Sequence, residues 1–141
     1  MRKVVICGFK GGVGKTTCAV NLSVGLARKG RKVLVMDNDA QSNATDAMGV
    51  NGQARGDMFD LFFTGTAAKD LTVSLEDGLE IIPSSRRLSQ VDQWLTMQTR
   101  REEVLKRRLN GVNGYDFVIL DTAPAFSLIN LNSLTYATEA W

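Results

Sequence analysis

The segment ICGFKGGVGKTTCAVNL at residues 6–22 constrains the fold of this chain more than any other stretch. It places a glycine-rich loop between an apolar run at residues 4–7, which is typical of a buried strand, and residues 15–29, whose apolar positions follow a helical period. Glycines in such a loop allow successive backbone N–H groups to point into one concavity at the N-terminus of the helix. The pattern therefore predicts a phosphate site between a strand and a helix.

Two side chains complete this predicted phosphate site. Lys15 can reach the β- and γ-phosphates of a nucleotide as a point charge, and the Thr16 hydroxyl can bind Mg²⁺. The alternative is a glycine-rich turn with a solvated lysine. The nucleotide interpretation is favoured because Gly-Lys-Thr lies between a buried strand and a helix, which is the context that a phosphate loop requires.

Short β-branched runs alternate with helical patterns along the sequence. Further strands are predicted at residues 33–36, 79–82 and 117–120, and further helices at residues 45–48, 57–63, 88–95, 101–109 and 128–137. This alternation predicts the α/β fold class, with a parallel sheet and right-handed crossovers. Ligand sites in such sheets form at the carboxyl ends of the strands. Residues 49–56 are expected to form a mobile loop.

Composition limits the classes of protein to which the chain can belong. The chain has 17 basic and 15 acidic residues, a balance too even to imply nucleic-acid binding by itself. Its two cysteines, Cys7 and Cys18, lack metal spacing, and no histidine is present to complete a zinc site. The sequence contains no cleavable leader and no apolar stretch of membrane-spanning length. These features predict a reduced cytoplasmic protein with no membrane partner.

Carboxylates follow two of the predicted strands. Asp37 and Asp39 follow the strand at 33–36, and Asp121 follows the strand at 117–120. Side chains at these positions suit the organisation of Mg²⁺ or of a water molecule. Carboxylates at strand ends also serve as helix caps or turn formers, and the residues alone leave both interpretations open.

Two helical segments have structural interpretations. Glu102 and Glu103 precede Lys106 and Arg107 by four residues, an order that supports a solvated helix over a nucleic-acid surface. The apolar stripe of the predicted helix at 88–95 is expected to face the core.

The loop KGGVGKTT departs from the general phosphate-loop pattern, because Phe9 stands where that pattern has its first glycine and Lys10 follows it. In this it resembles the deviant Walker A motif of the ParA/MinD family of ATPases. The resemblance implies that Lys10 reaches across a nucleotide-sandwich dimer to the phosphates of the partner, while Lys15 serves its own nucleotide. It also implies that ATP is held by these loop residues: Lys10, Gly11, Gly12, Val13, Gly14, Lys15, Thr16 and Thr17.

The segment DNDAQSNAT at residues 37–45 resembles the family's DxDPQGNAT motif, which favours the ParA/Soj partitioning branch over the cell-division branch. The resemblance implies that Asp39 positions the attacking water. It further implies that Asp37 and Asp121 join Thr16 around Mg²⁺.

Three residues depart from the family motifs. Ala40 and Ser42 replace a proline and a glycine, which changes the stiffness of the loop and leaves the carboxylates in place. Ala123 replaces the first proline in YDFVILDTAP, which otherwise resembles the segment that carries the family's Mg²⁺ carboxylate. Members of the family continue with further strands, so residues 1–141 are expected to be the N-terminal portion of a P-loop ATPase domain, truncated after this segment.

The resemblance implies a slow ATPase whose ATP-dependent homodimer partitions a plasmid or chromosome with a ParB-like protein and nonspecific DNA. Lys10, Lys15 and Asp39 are its catalytic residues by the same resemblance. Positioning of a protein cargo is an alternative, because the ATPase core does not name its load, and a nucleotide-binding interaction module without turnover is another. Lys10 argues against a small-molecule kinase, and the positions of Cys7 and Cys18 argue against an iron–sulphur reductase.

Overall fold

The computed structural model describes residues 1–50 and 52–141. The strands are β1 (Arg2–Ile6), β2 (Val33–Asn38), β3 (Val73–Glu76), β4 (Leu79–Ile82), β5 (Phe117–Thr122) and β6 (Glu139–Ala140). The helices are α1 (Lys15–Arg28), α2 (Asn43–Ala47), α3 (Met58–Phe63), α4 (Ala68–Leu71), α5 (Val91–Leu95), α6 (Val104–Arg108) and α7 (Leu128–Tyr136). Two 3₁₀ turns, Arg86–Gln90 and Arg101–Glu103, lead into α5 and α6.

The strands form one sheet in the order β3-β4-β2-β5-β1-β6. Every neighbouring pair is parallel except β3 and β4, which form an antiparallel pair. The carboxyl ends of the three central strands are level, since Asp121 on β5 lies opposite both Ile6 on β1 and Asp37 on β2. This register brings the glycine-rich loop after β1 next to the two carboxylates, at the edge where ligands bind in sheets of this kind.

Both faces of the sheet are buried, which explains why the central strands are apolar at nearly every position. Leu34 and Met36 on β2 point into a cluster with the helices that follow β2, β4 and β5. Val33 and Val35 point to the other face and pack with α1. Successive residues of a strand face opposite ways, so each strand contributes to both clusters.

All four strands predicted from the sequence are present, and β4 has the predicted bounds. β2 and β5 are each two residues longer than predicted, because their polar ends continue the pairing. β3, β6 and α4 were not predicted. They are four residues long or shorter, which gives a periodicity argument too few positions. The mobility prediction for residues 49–56 includes Asn51, which lies outside the described residues.

The predicted helices at 88–95 and 101–109 both begin as 3₁₀ turns. In the stripe of the first, Leu88, Val91 and Leu95 are fully buried as predicted, and Trp94 is half-buried. In the second, the two glutamates lie in the 3₁₀ turn and not in the helix itself. α6 begins only at Val104, so Glu103 precedes the helix and pairs with Arg100 at 3.4 Å. Among the described residues, no helix has the length and apolar character needed to cross a membrane.

Candidate functional site

The loop between β1 and α1 has the backbone of an anion site. Gly12 and Gly14 have φ angles of 69° and 87°, in the left-handed region that a side chain would strain. α1 begins at Lys15, and in the described structure its first turn has neither a capping side chain nor an acidic residue. The first N–H groups of the helix and its positive dipole end are therefore directed toward any anion in the loop.

A pocket of about 440 Å³ opens in front of this loop. We call it the phosphate-loop pocket, and its lining consists of Gly12, Val13, Gly14, Lys15, Thr16, Thr17, Asp39, Asn43, Thr122 and Pro124. Most residues that the sequence nominated for nucleotide binding thus meet in one place. Lys10, Gly11, Asp37 and Asp121 are nominated residues that do not line the pocket, although the last two lie at the same end of the sheet.

Thr16 and Asp121 are joined across this end of the sheet. The Thr16 hydroxyl donates to Asp121 Oδ2 at 2.7 Å, while Asp121 Oδ1 is buried and has no hydrogen-bond partner among the described residues. Burial raises the pKa of the Asp121 carboxyl, the Thr16 hydrogen bond opposes the rise, and the charge of Asp39 adds to it. A buried carboxylate oxygen beside a threonine hydroxyl is a donor set that fits a hard cation such as Mg²⁺.

Asp37 is fully buried beside Asp121 and is held by three hydrogen bonds. Its Oδ2 accepts from the Thr45 backbone N–H at 2.8 Å and from the Thr45 hydroxyl at 2.6 Å, and its Oδ1 accepts from the Asp39 N–H at 3.1 Å. Burial raises the pKa of Asp37 to about 6. Within the described residues no group of three or more His, Cys, Asp or Glu side chains could hold a metal, so a cation here needs phosphate or water oxygens as well.

Asp39 lines the phosphate-loop pocket together with the first residues of α1. It is only 6 % exposed, and its Oδ1 accepts from the Gln41 N–H at 2.9 Å. This hydrogen bond fixes the carboxylate in a turn that faces the pocket. A carboxylate so placed can orient a water molecule toward a bound phosphate.

The two lysines of the loop occupy different environments. Lys15 is half-buried and its Nζ donates to the Lys10 backbone oxygen at 3.0 Å. The Lys10 side chain is exposed at the surface. One lysine is therefore directed into its own loop, and the other is accessible from outside.

Several side chains around the site were not nominated from the sequence. Thr45 lies within the quoted DNDAQSNAT segment, so its motif was a signal for it. Asn130 donates to the backbone oxygens of Ala123 and Ala125 at 2.7 and 2.6 Å and so shapes the loop after β5. No local pattern marks Asn130, because its partners depend on how α7 packs.

A family model described as an AAA domain matches residues 1–140, and the chain belongs to this family, within which it is of the ParA/Soj type. The chromosome partitioning protein ParA of Caulobacter vibrioides is 35 % identical over 142 residues, which cover 97 % of this chain and 53 % of that protein. The sporulation initiation inhibitor protein Soj of Bacillus subtilis is 35 % identical over 135 residues, covering 94 % and 53 %. The chain thus spans about half the length of the curated relatives it matches.

Solved structures agree with this assignment. Cobyrinic acid a,c-diamide synthase from Mycobacterium smegmatis, with bound ATP analog and magnesium, superposes with a TM-score of 0.93 at 29 % identity, covering 99 % of this chain and 58 % of that one. A complex of a Cyanothece McdA variant with ATP superposes with a TM-score of 0.91 at 31 % identity, covering 99 % of this chain and 55 % of the McdA chain. The predicted fold class is confirmed: the chain has the mostly parallel α/β sheet of the P-loop NTPases and corresponds to the N-terminal portion of such domains.

Proposed function

We propose that this chain binds Mg-ATP and forms the nucleotide site of a slow, ParA-like ATPase. The observation that carries the proposal is that the phosphate loop at the N-terminus of α1 lies beside Asp121, at the carboxyl end of β5. Thr16 on α1 donates a hydrogen bond to this Asp121. Hydrogen-bond donors for the phosphates on one side and oxygen ligands for a cation on the other are the two halves of a nucleoside triphosphate site.

Each nominated group has a distinct task in this site. Backbone N–H groups of the loop bind the phosphates, and Lys15 turns from the Lys10 oxygen to the β- and γ-phosphates. Thr16 and Asp121 would hold Mg²⁺ directly or through water, with Asp37 beside Asp121 on the adjacent strand. When bound, Mg²⁺ neutralises charge on the phosphate oxygens. Asp39 orients the water that attacks the terminal phosphate.

Lys10 gives the site its link to a second copy of the chain. Its exposed side chain lies directly before Gly11 in the loop that binds the nucleotide, so a second chain docked over the phosphate-loop pocket would bring another Lys10 to the first nucleotide. ATP then closes the homodimer and hydrolysis opens it. We further propose that this switch partitions DNA in the cytoplasm with a ParB-like partner and through nonspecific DNA contacts. The similarity to a chromosome partitioning protein supports the partitioning role.

Two alternatives use the same site. The relatives include the cell division protein PomZ of Myxococcus xanthus, 35 % identical over 141 residues, so the load of the ATPase can differ while the core stays similar. A nucleotide-binding module without turnover also accommodates the geometry, since binding requires only the loop and the cation ligands.

Molar mass measured by light scattering in Mg-ATP and in Mg-ADP tests the switch, with nucleotide affinity measured on the same samples by fluorescence. ATP alone should double the mass. Lys15→Ala should abolish nucleotide binding, and Lys10→Ala should retain binding but abolish the mass change. Lys106→Ala, an exposed lysine on α6, is the matched control and should behave as wild type.

The outcomes separate the alternatives. A chain that binds no nucleotide contradicts the proposal. Binding with no hydrolysis supports the interaction module, and hydrolysis without any effect of a ParB-like partner or DNA supports another cargo.

A further inference from the structure

We propose that Thr45 is a positioning residue that fixes the Asp37 carboxylate for the Mg-ATP site. Thr45 lies on α2 and is buried, and it donates to Asp37 Oδ2 with both its backbone N–H and its hydroxyl. Asp37 is in turn the neighbour of Asp121 across β2 and β5. The inference rests on the proposed function, because it concerns the readiness of that site for a cation.

The direction of the Thr45 hydroxyl follows from its second partner. The backbone N–H of Ser84 lies 2.9 Å from Thr45 Oγ1 and can only donate, so the hydroxyl must accept that bond. Its single proton is then directed to Asp37 Oδ2 at 2.6 Å. The Ser84 N–H thus selects one of the rotations that the hydroxyl could adopt.

The position of Ser84 is itself fixed by its neighbours. It lies two residues after the end of β4, and the preceding residue, Pro83, accepts from the Met58 N–H at 2.8 Å at the start of α3. Thr45 therefore joins three parts of the chain: the end of β2, the start of α2 and the segment after β4. All of the atoms in this link are buried, where hydrogen bonds are strong and an unmade bond is costly.

The consequence for the site is that Asp37 has one oxygen available. Both lone pairs of Oδ2 are used by Thr45, while among the described residues Oδ1 accepts only the longer bond from the Asp39 N–H at 3.1 Å. A cation, or a water bound to it, can therefore be approached by Oδ1 alone. Loss of the Thr45 hydroxyl would let the carboxylate rotate and would leave the Ser84 N–H without its acceptor. Removal of a group that hydrogen-bonds to a metal ligand typically lowers metal affinity or activity by about 10- to 100-fold.

Four variants test the proposal. Thr45→Val removes the hydroxyl with little change of side-chain volume, and Thr45→Ala removes it together with side-chain volume. Thr45→Ser retains the hydroxyl. Thr72→Val is the matched control, because the half-buried Thr72 hydroxyl bonds a backbone oxygen outside the site.

Two measurements are made on each variant. Amide hydrogen exchange of Ser84, by NMR without nucleotide, should accelerate about 10-fold or more in the hydroxyl-free variants. ATP hydrolysis should show kcat lowered about 10- to 100-fold with KM for ATP changed less than about threefold. Thr45→Ser and Thr72→Val should match wild type within about threefold in both.

Unchanged Ser84 exchange, or unchanged kcat in both hydroxyl-free variants, overturns the proposal. So does a Thr45→Ser variant that loses as much activity as Thr45→Ala. A wild-type chain that binds no nucleotide contradicts the proposed function instead, and the exchange of Ser84 then still decides whether Thr45 holds this link.

Discussion

Two buried carboxylates give the site its electrostatic character. Asp37 and Asp121 lie opposite each other on adjacent strands and are both fully buried, and burial raises the pKa of each. Within the described structure neither carboxylate forms an ion pair. Charge placed in this way destabilises the fold unless a cation joins it, and such strain is common where a protein is built to bind one.

The stability of the chain should therefore depend on the protonation of Asp37. Its pKa in the folded state, about 6, lies above the usual value of 3.8, so between those pH values the folded chain keeps a proton that the unfolded chain has lost. The stability that this proton contributes is present below pH 4 and is lost as pH rises through 6. Asp37→Asn removes this dependence. The free energy of unfolding of the variant minus that of wild type should therefore increase by on the order of 2 kcal/mol from pH 4 to pH 7.

Urea unfolding at a series of pH values, without Mg²⁺ or nucleotide, measures this difference. Asp46→Asn, an exposed aspartate on α2, is the control and should give a flat difference. A flat difference for Asp37→Asn as well would contradict the prediction.

Asp39 should matter for turnover and little for binding. It faces the phosphate-loop pocket with its Oδ1 held by the Gln41 N–H, and in the described part of the chain it makes no hydrogen bond to the proposed phosphate loop. Asp39→Ala should lower kcat for ATP hydrolysis by about 100-fold or more, since positioned acid–base groups contribute on this order. Nucleotide affinity should stay within about threefold of wild type, and a loss of affinity equal to the loss of kcat would assign Asp39 to binding.

Among the helices, α7 is tied to its neighbours by one buried amide. Asn132 accepts from the Leu105 N–H at 2.9 Å and donates to the backbone oxygens of Arg101 and Leu128, each at 2.8 Å. The structure gives this asparagine a packing role at the start of α6. By holding α6 on α7 it also supports the segment in which Asn130 shapes the loop beside the site.

Replacement of this amide should destabilise the chain. Asn132→Ala removes three hydrogen bonds to backbone groups at a fully buried position, and should lower the free energy of unfolding by about 2 to 3 kcal/mol. Asn21→Ala, which removes an exposed amide on α1, should change it by less than about 0.5 kcal/mol. Equal effects in urea unfolding would refute a special role for Asn132.

Across the full chain, stability rests on a sheet covered on both sides. β5 lies between β2 and β1, and its Leu120 is fully buried in the larger apolar cluster. Leu131 on α7, by contrast, is 40 % exposed. The strand that carries the proposed cation ligand Asp121 is therefore also the centre of the core, so packing and site geometry depend on one another.

Truncation of core and surface leucines should reveal this difference. Leu120→Ala should lower the free energy of unfolding by about 2 to 5 kcal/mol, since it leaves a cavity next to the site. Leu131→Ala should lower it by less than about 1 kcal/mol, because much of its side chain is already in water. A thermal or urea transition in which both variants shift equally would contradict the assignment of β5 to the core.

Elements whose signals are local could be predicted from the amino-acid sequence alone. The glycine loop, the apolar runs of β1, β2, β4 and β5, and the carboxylates at the strand ends follow from periodicity and backbone chemistry within a few residues. The site residues at 12–17 and Asp39 come together for the same reason, since parallel strands align their carboxyl ends.

Features that depend on partners distant in sequence could be seen only in the folded chain. The antiparallel β3 and the two-residue β6 exist because a neighbouring strand offers hydrogen bonds. The hydroxyl of Thr45 acquires its direction from Ser84, 39 residues away, and Asp37 acquires its raised pKa from burial under α2 and beside β5. Hydrogen bonds and desolvation act through space, so no local pattern in the chain can specify them.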